Sequence, residues 1–223
     1  MSERETVPRG RHAPPLQVRQ ERQRRRLNAA AARVFARCGY ADATAEAIAR
    51  EAGMSKATFY EHFDNKEDCI CALFDEATQT LLAAIAGDGG DGGPATTRAD
   101  ARHRYQRSVA AFLEVIADNP DHAQTLLVEI IGAGPRAMER RDRVLSAFAD
   151  YIEFRNREDA ETGVVPRLAS PHDAFAIVGA VVELASRQIR TGVPADIREL
   201  EPVVERLIAG VLAAAAEAAA DAA

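Results

Sequence analysis

The sequence predicts an all-α protein of about nine helices, and three observations indicate this fold class. Apolar residues recur at three- and four-residue spacing along most of the chain, which is the period of a helix with one buried face. The hydrophobic fraction is 47% and is dominated by Ala, a strong helix former. No segment shows the strict alternation of apolar and polar residues that is typical of a strand.

Residues 1–18 are rich in Pro, Arg and Gln and have no periodicity, which predicts a disordered basic arm. The first 40 residues contain ten Arg and three Glu, so their formal charge is +7 in a chain whose net charge is −6. Such a basic end fits a polyanionic partner, although a solvated tail without function has the same composition. If the partner is a nucleic acid, we expect Arg22, Arg25 and Arg26 to reach its phosphates.

Residues 19–65 are predicted to form three helices. The first ends at Gly39, because Gly readily takes the left-handed conformation that follows many helices. Two short helices follow it, and Thr44 and Ser55 are typical N-cap residues for them. Gly53 lies between these two helices, where it allows a sharp turn.

Residues 66–86 carry the apolar stripe of a fourth helix, which connects the two halves of the chain. Asp64 and Glu67 have the spacing of a capping box at its start. The Gly-rich segment 87–95 predicts a flexible loop. Five further helices are expected in residues 96–223, and none of them shows a repeat or a heptad pattern.

Two short helices joined by a tight turn are typical of a helix-turn-helix. The second helix of such a pair enters the major groove of DNA with its N-terminal residues foremost, and helix N-termini and nearby donors bind phosphates. Small or flexible side chains at that point let the backbone come close to the bases. The predicted DNA contacts are Thr44, Ser55, Lys56, Ala57, Thr58, Tyr60, His62 and Lys66.

The segment TAEAIAREAGMSKATFYEHFDNKED, preceded by AARVFARCGY, resembles the DNA-binding region of TetR-family transcriptional regulators. The resemblance runs without a gap from about Leu27 to Leu73. It implies a homodimer that binds a double-stranded DNA operator, with residues 96–223 as the effector-binding and dimerisation domain. Two positions depart from the family pattern: Ala45, where a larger aliphatic residue is usual, and Asp64, a negative charge close to the expected phosphates.

A regulator needs an input, and the fifth to eighth helices offer apolar residues that could line a cavity. Any one of them could equally be ordinary core. Glu129 interrupts an apolar run, and Glu183 and Arg187 stand four apart, so each could form a structural bond or contact a ligand. Such a lining indicates an apolar or amphipathic effector. The candidate pocket residues are Phe112, Ile116, Leu127, Glu129, Ile130, Met138, Phe148, Tyr151, Phe175, Val178, Glu183 and Arg187.

The last two helices are too apolar for solvent and predict the dimer face. Their Ala/Gly run, residues 209–216, permits close helix approach, while the last helix could begin at either Asp196 or Glu201. A two-fold dimer would place two recognition helices roughly 34–36 Å apart on a near-palindromic site. The predicted interface residues are Val181, Val182, Ala185, Val203, Leu207, Val211 and Leu212.

The sequence does not indicate catalysis, metal binding or cofactor binding, so we expect a protein that is not an enzyme and has no metal site and no cofactor. The five His lack metal-ligand spacing, and Cys69-x-Cys71 has no second pair nearby. No phosphate loop, dinucleotide fingerprint or catalytic triad signature is present in the sequence. The odd Cys count and the lack of long apolar runs predict a cytoplasmic protein that does not enter a membrane.

These observations predict a ligand-responsive repressor. One alternative is an architectural DNA-binding protein without an effector, which would bind any duplex strongly. The other is a helical carrier of lipids or small molecules with a decayed DNA motif, and the intact pattern from Ser55 to Tyr60 argues against it.

Overall fold

The computed structural model describes residues 15–89 and 93–221. These residues form an all-α structure, as predicted, with nine α-helices, two short 3₁₀ helices and no strand within the two ranges. The α-helices are α1 (Leu16–Asp42), α2 (Ala45–Glu51), α3 (Lys56–His62), α4 (Lys66–Gly89), α5 (Arg98–Asp118), α6 (Pro120–Leu127), α7 (Pro135–Glu161), α8 (Pro171–Thr191) and α9 (Glu201–Asp221). The 3₁₀ helices span Glu129–Gly132 and Ile197–Leu200.

Helix α1 is longer than the sequence predicted at both ends. It begins at Leu16, so the last residues of the predicted disordered arm are helical, while residues 1–14 lie outside the described part of the chain. The residues from Leu16 onward contain no Pro or Gly before Gly39, which explains the early start. Gly39 has φ 76° and kinks the helix, so the regular helix does end there and one more turn follows.

The helix-turn-helix forms through the predicted caps. The Thr44 hydroxyl accepts a hydrogen bond from the Ala47 N–H at 3.1 Å, and the Ser55 hydroxyl accepts one from the Thr58 N–H at 3.0 Å. Gly53 has φ 66° in the turn between them. These bonds satisfy backbone donors that helix starts leave open, and they set the two helices in place over a shared core.

The start and end of α4 differ from the prediction. Asn65 rather than Asp64 caps the helix, because the Asn65 Oδ1 accepts a bond from the Asp68 N–H at 2.8 Å. The helix extends to Gly89, inside the predicted loop 87–95, and residues 90–92 are outside the described ranges. The other end of that loop is held in place, since Ala95 is buried and donates its N–H to the Asp159 carboxylate at 2.7 Å.

One continuous core joins the two halves of the chain. Helix α4 packs on α1 on one side and on α5 and α7 on the other, so it connects the helix-turn-helix to the larger helical part. Both expected starts of the last helix are used: Asp196 caps the second 3₁₀ helix, and α9 follows directly from Glu201. In the ranges that the structure describes, no helix combines the length and apolarity needed to cross a bilayer.

Candidate DNA interface and effector cavity

The first turn of α3 presents its side chains to solvent. Lys56 and Ala57 are exposed and Tyr60 is 50% exposed, while Thr58 is half-buried. The Ser55 hydroxyl is engaged in capping and also lies 2.9 Å from the Thr58 hydroxyl. Lys56 therefore offers the mobile cation of this turn, and Ser55 and Thr58 present a fixed pair of hydroxyl groups.

Thr44 and His62 flank this surface. Thr44 is exposed at the start of α2. The His62 Nε2 lies 3.3 Å from the Gln23 Oε1. Burial, with a smaller effect of the nearby Arg24 charge, lowers the pKa of His62. His62 can form a hydrogen bond to a phosphate oxygen.

Lys66 is the first residue of α4, where its side chain reaches the end of α1. Its ammonium donates hydrogen bonds to the backbone carbonyls of Tyr40 and Ala41, and it lies 4.2 Å from the centre of the Tyr40 ring. These carbonyls belong to the C-terminal turn of α1, where a cation is favourable. Lys66 thus fastens α4 to α1, and the phosphate contact predicted for it would have to compete with these bonds.

The arginines of α1 divide into two groups. Arg22 is exposed, and Arg25 forms only an exposed pair with Glu21 at 3.1 Å, a kind of ion pair that contributes little to stability. Arg26 instead donates to the Ala52 carbonyl at 2.8 Å, at the end of α2. Of the three predicted arginines, Arg22 and Arg25 are therefore exposed, while Arg26 braces the helix-turn-helix.

A cavity of about 260 Å³ lies in the larger helical part, among α4 to α9. It is lined mainly by aliphatic and aromatic side chains. Six of the twelve predicted pocket residues are in its wall, namely Phe112, Ile116, Leu127, Phe148, Tyr151 and Val178.

The other six predicted pocket residues lie elsewhere. Ile130 is fully buried core, Met138 is half-buried outside the lining, and Phe175 is 45% exposed. Glu183 is exposed and binds Arg190 at 2.9 Å rather than the predicted Arg187. Arg190 is placed for this because the hydroxyl of Ser186 also accepts a bond from its guanidinium. The remaining two are Arg187, which is exposed, and Glu129.

Glu129 joins the two halves of the molecule. Its carboxylate accepts a hydrogen bond from the Tyr40 N–H at 2.6 Å and another from the Gln124 side chain at 2.8 Å. Tyr40 follows the kink in α1, and Leu126 and Leu127, close to Glu129 in sequence, line the cavity. A short stretch of chain therefore contacts both the cavity and the DNA-binding half.

Sequence reasoning missed most of the cavity wall. The apolar stripe of α4 predicts core packing, and periodicity does not distinguish core from cavity lining. The paired Arg104 and Asp159 come from α5 and α7, so no local spacing relates them. The lining residues that were not predicted include Phe74, Thr78, Leu81, Arg104, Tyr105, Ser108, Arg141, Arg155, Asn156 and Asp159.

The predicted dimer residues also separate into two groups. Val181, Val182 and Leu212 line the cavity, and Ala185 is fully buried within the single chain, so these side chains face inward. The others lie on α9, where Val203 is 37% exposed. Leu207 and Val211 are half-buried there.

None of the three cysteines lines the cavity or belongs to the predicted DNA contacts. Cys69 is fully buried, which raises the pKa of its thiol to about 12, and burial also raises the pKa of Cys71. Cys38 is exposed near the end of the first part of α1. In the described residues no cluster of three or more His, Cys, Asp or Glu side chains has a geometry that could hold a metal ion.

Comparison with known proteins supports this organisation. A family profile described as bacterial regulatory proteins, tetR family, matches residues 27–73. Among solved structures, the fatty acid degradation regulator FadR from Bacillus halodurans is similar with a TM-score of 0.74 and 22% identity, over 85% of this chain and 96% of that one. FadR from Bacillus subtilis, in complex with stearoyl-CoA, has a TM-score of 0.71 and 19% identity over 82% and 96%.

A third solved structure is a bacterial regulatory protein in the tetR family from Rhodococcus RHA1. It has a TM-score of 0.67 and 25% identity, over 85% of this chain and 96% of its own. All three similarities extend across both the helix-turn-helix and the larger helical part, so the two halves recur together as one architecture.

Proposed function

We infer that this chain, as a member of the TetR family of bacterial regulatory proteins, is a ligand-responsive transcriptional repressor that binds a palindromic operator as a homodimer. The observation that carries this proposal is the presence, on one continuous core, of an exposed recognition helix and a separate apolar cavity. In this proposal the recognition helix binds DNA, and the separate cavity binds the effector that regulates DNA binding.

The DNA-binding surface is proposed to comprise the first turns of α2 and α3. Lys56, Ala57 and Tyr60 reach the major groove, with the backbone of the first turn close to the base edges. Thr44 and His62 position the domain on the phosphates, and Arg22 and Arg25 extend the contact along the backbone. In this proposal Lys66 acts through the fold, because its ammonium bonds to the end of α1.

The effector is proposed to be a small apolar or amphipathic molecule in the cavity. Bacillus subtilis FadR, which has a similar fold, was solved in complex with stearoyl-CoA, and an acyl chain suits the aliphatic and aromatic wall found here. At about 260 Å³, the cavity is slightly smaller than a typical ligand site of roughly 300–1,000 Å³. It therefore has room for a chain of modest length and not for a nucleotide as well.

The dimer is proposed to form through the outward faces of α8 and α9. On α9 this face includes Val203 and the exposed Ala209 and Gly210, which let a second helix approach closely. The cavity argues against the alternative of an architectural protein without an effector, because such a protein has no use for an apolar cavity. A repressor of this kind acts where the chromosome is, in the cytoplasm.

Selection of bound sequences from random double-stranded DNA, at a stated salt concentration of 100 mM, tests the proposal. We expect enrichment of two inverted half-sites about one helical turn apart, since a two-fold dimer reads a palindrome. Transcription from a promoter that overlaps the selected site should then fall when the protein is added. If the protein binds DNA but no sequence is enriched, the architectural alternative is favoured. If the protein binds no DNA at all, the alternative of a helical carrier is favoured.

A further inference from the structure

We propose that the cavity takes an anionic amphiphile, whose negatively charged head group binds Arg141 while its apolar part fills the remaining space. The inference rests on the proposed function, in which the cavity holds the effector, and it names the chemical class of that effector. It follows from the charges in the cavity wall and from the bonds that those charges already make.

The wall carries more positive than negative charge. Its charged side chains are Arg104, Arg141, Arg155 and Asp159, three cations and one anion. Arg104 and Asp159 form an ion pair with each other, both largely buried. Arg155 donates to Glu158 at 2.9 Å, just outside the lining. Among the described residues, Arg141 is thus the cation of the wall that has no carboxylate within hydrogen-bond distance.

The contact that Arg141 does make is weak. Its Nη1 lies 3.9 Å from the carboxylate of Asp142, which is 68% exposed, whereas the Arg141 side chain is only 21% exposed. At 3.9 Å the two groups are too far apart for a hydrogen bond, and such a partly exposed ion pair contributes little. No hydrogen bond joins the Arg141 guanidinium to any side chain or carbonyl in residues 15–89 and 93–221. Its five N–H donors are therefore available, and a guanidinium matches a carboxylate or phosphate with two parallel bonds.

Thr78 provides a second polar group in the cavity wall. It is buried on α4, lines the cavity, and its hydroxyl has no hydrogen-bond partner in the described residues. One turn before it, Asp75 binds Arg140 with two bonds of 2.5 Å, which holds α4 against α7 next to Arg141. Thr78 and Arg141 thus lie on two helices that are fastened together, and both can bind an anionic oxygen.

The surrounding wall favours a molecule with an anionic end and an apolar remainder. Phe74, Val144 and Leu145 are the neighbouring lining residues on the same two helices. A cationic ligand would be repelled by Arg141, and Asp159, the one carboxylate of the lining, is engaged with Arg104. A neutral ligand would leave a half-enclosed guanidinium without an acceptor, which is unfavourable.

Binding of three probes with the same chain and different heads tests this inference: decanoate, decanol and decyltrimethylammonium. Displacement of the neutral dye N-phenylnaphthylamine gives each affinity, and the chain has no Trp to interfere with the dye signal. The variant is Arg141→Gln, and the matched control is Arg143→Gln, an exposed residue of α7 outside the cavity wall.

We expect the unmodified protein to bind decanoate about tenfold to a hundredfold more tightly than decanol, the range for one charged hydrogen-bonded contact. Arg141→Gln should bring decanoate to the affinity of decanol and leave decanol unchanged, while Arg143→Gln alters neither. Equal binding of decanoate and decanol by the unmodified protein would overturn the inference, as would a preference for the ammonium probe or an equal loss of both ligands in Arg141→Gln. These results leave the proposed effector cavity intact. Failure of all three probes to bind would instead overturn the effector cavity itself, and this inference with it.

Discussion

At the scale of single residues, the two lysines of the chain have different tasks. Lys56 is exposed at the start of α3 and bonds to no other described residue. Lys66 neutralises the carbonyl end of α1 through Tyr40 and Ala41. Both lysines follow an N-cap residue, so the sequence alone suggested the same role for each. The difference depends on a contact 26 residues away, which local spacing does not reveal.

Replacement of each lysine by Ala distinguishes these roles. Lys56→Ala should weaken operator binding and reduce the slope of log affinity against log salt by about one, because one phosphate contact is lost, with the melting temperature unchanged. Lys66→Ala should reduce the free energy of unfolding by roughly 1–2 kcal/mol, since a charged donor is removed from two carbonyls. Affinity titrations and thermal melts of both variants check this. Equal melting temperatures for the two variants would contradict the assignment.

At the scale of elements, the sequence predicts those features that depend on contacts between neighbouring residues. The caps Thr44 and Ser55 and the turn at Gly53 use bonds within a few positions, and all three formed as expected. Two features could not be predicted from the sequence because they join distant segments. The Glu129 bond to Tyr40 spans 89 residues, and the inward position of Ala185 depends on how α8 packs against several helices.

The link made by Glu129 should carry the signal between the cavity and the DNA. In Glu129→Ala, decanoate should still bind, but its effect on operator affinity should shrink from an ordinary coupling of about 5–150-fold towards none. The reason is that the bond to Tyr40 ties the cavity-lining segment to α1. Operator titrations with and without decanoate measure the coupling. Glu139→Ala, at an exposed position of α7, is the control and should retain it, and full coupling in Glu129→Ala would refute the role.

At the scale of the whole molecule, several predicted interface residues face inward, which leaves fewer residues for the proposed dimer interface. Three of the seven predicted interface residues line the cavity, so in the proposed dimer the outer faces of α8 and α9 supply the contact. Pattern analysis assigns apolar residues to burial but does not say whether the cover is the same chain or a second one. The single-chain structure separates these cases residue by residue.

A charge at Val203, the exposed member of the predicted interface residues, should separate the protomers. We expect the unmodified protein to have twice the chain mass of 24.1 kDa in light scattering at micromolar concentration. Val203→Glu should shift it to the single-chain mass, because a carboxylate buried without a partner is unfavourable at a two-fold contact. Leu82→Glu, at a 46% exposed apolar position of α4, should stay dimeric. A dimer in both variants would place the contact elsewhere.

The four tyrosines of the chain lie along the proposed route from the cavity to the DNA. Tyr60 stands on the recognition helix, Tyr40 at the junction, and Tyr105 and Tyr151 in the cavity wall. Biosynthetic incorporation of fluorotyrosine would therefore give the protein four fluorine resonances. Two would report on the cavity wall, one on the junction and one on the recognition helix. A titration with ligand could be followed as its effect passes from the cavity signals to the junction and then to the groove, with no change to the sequence.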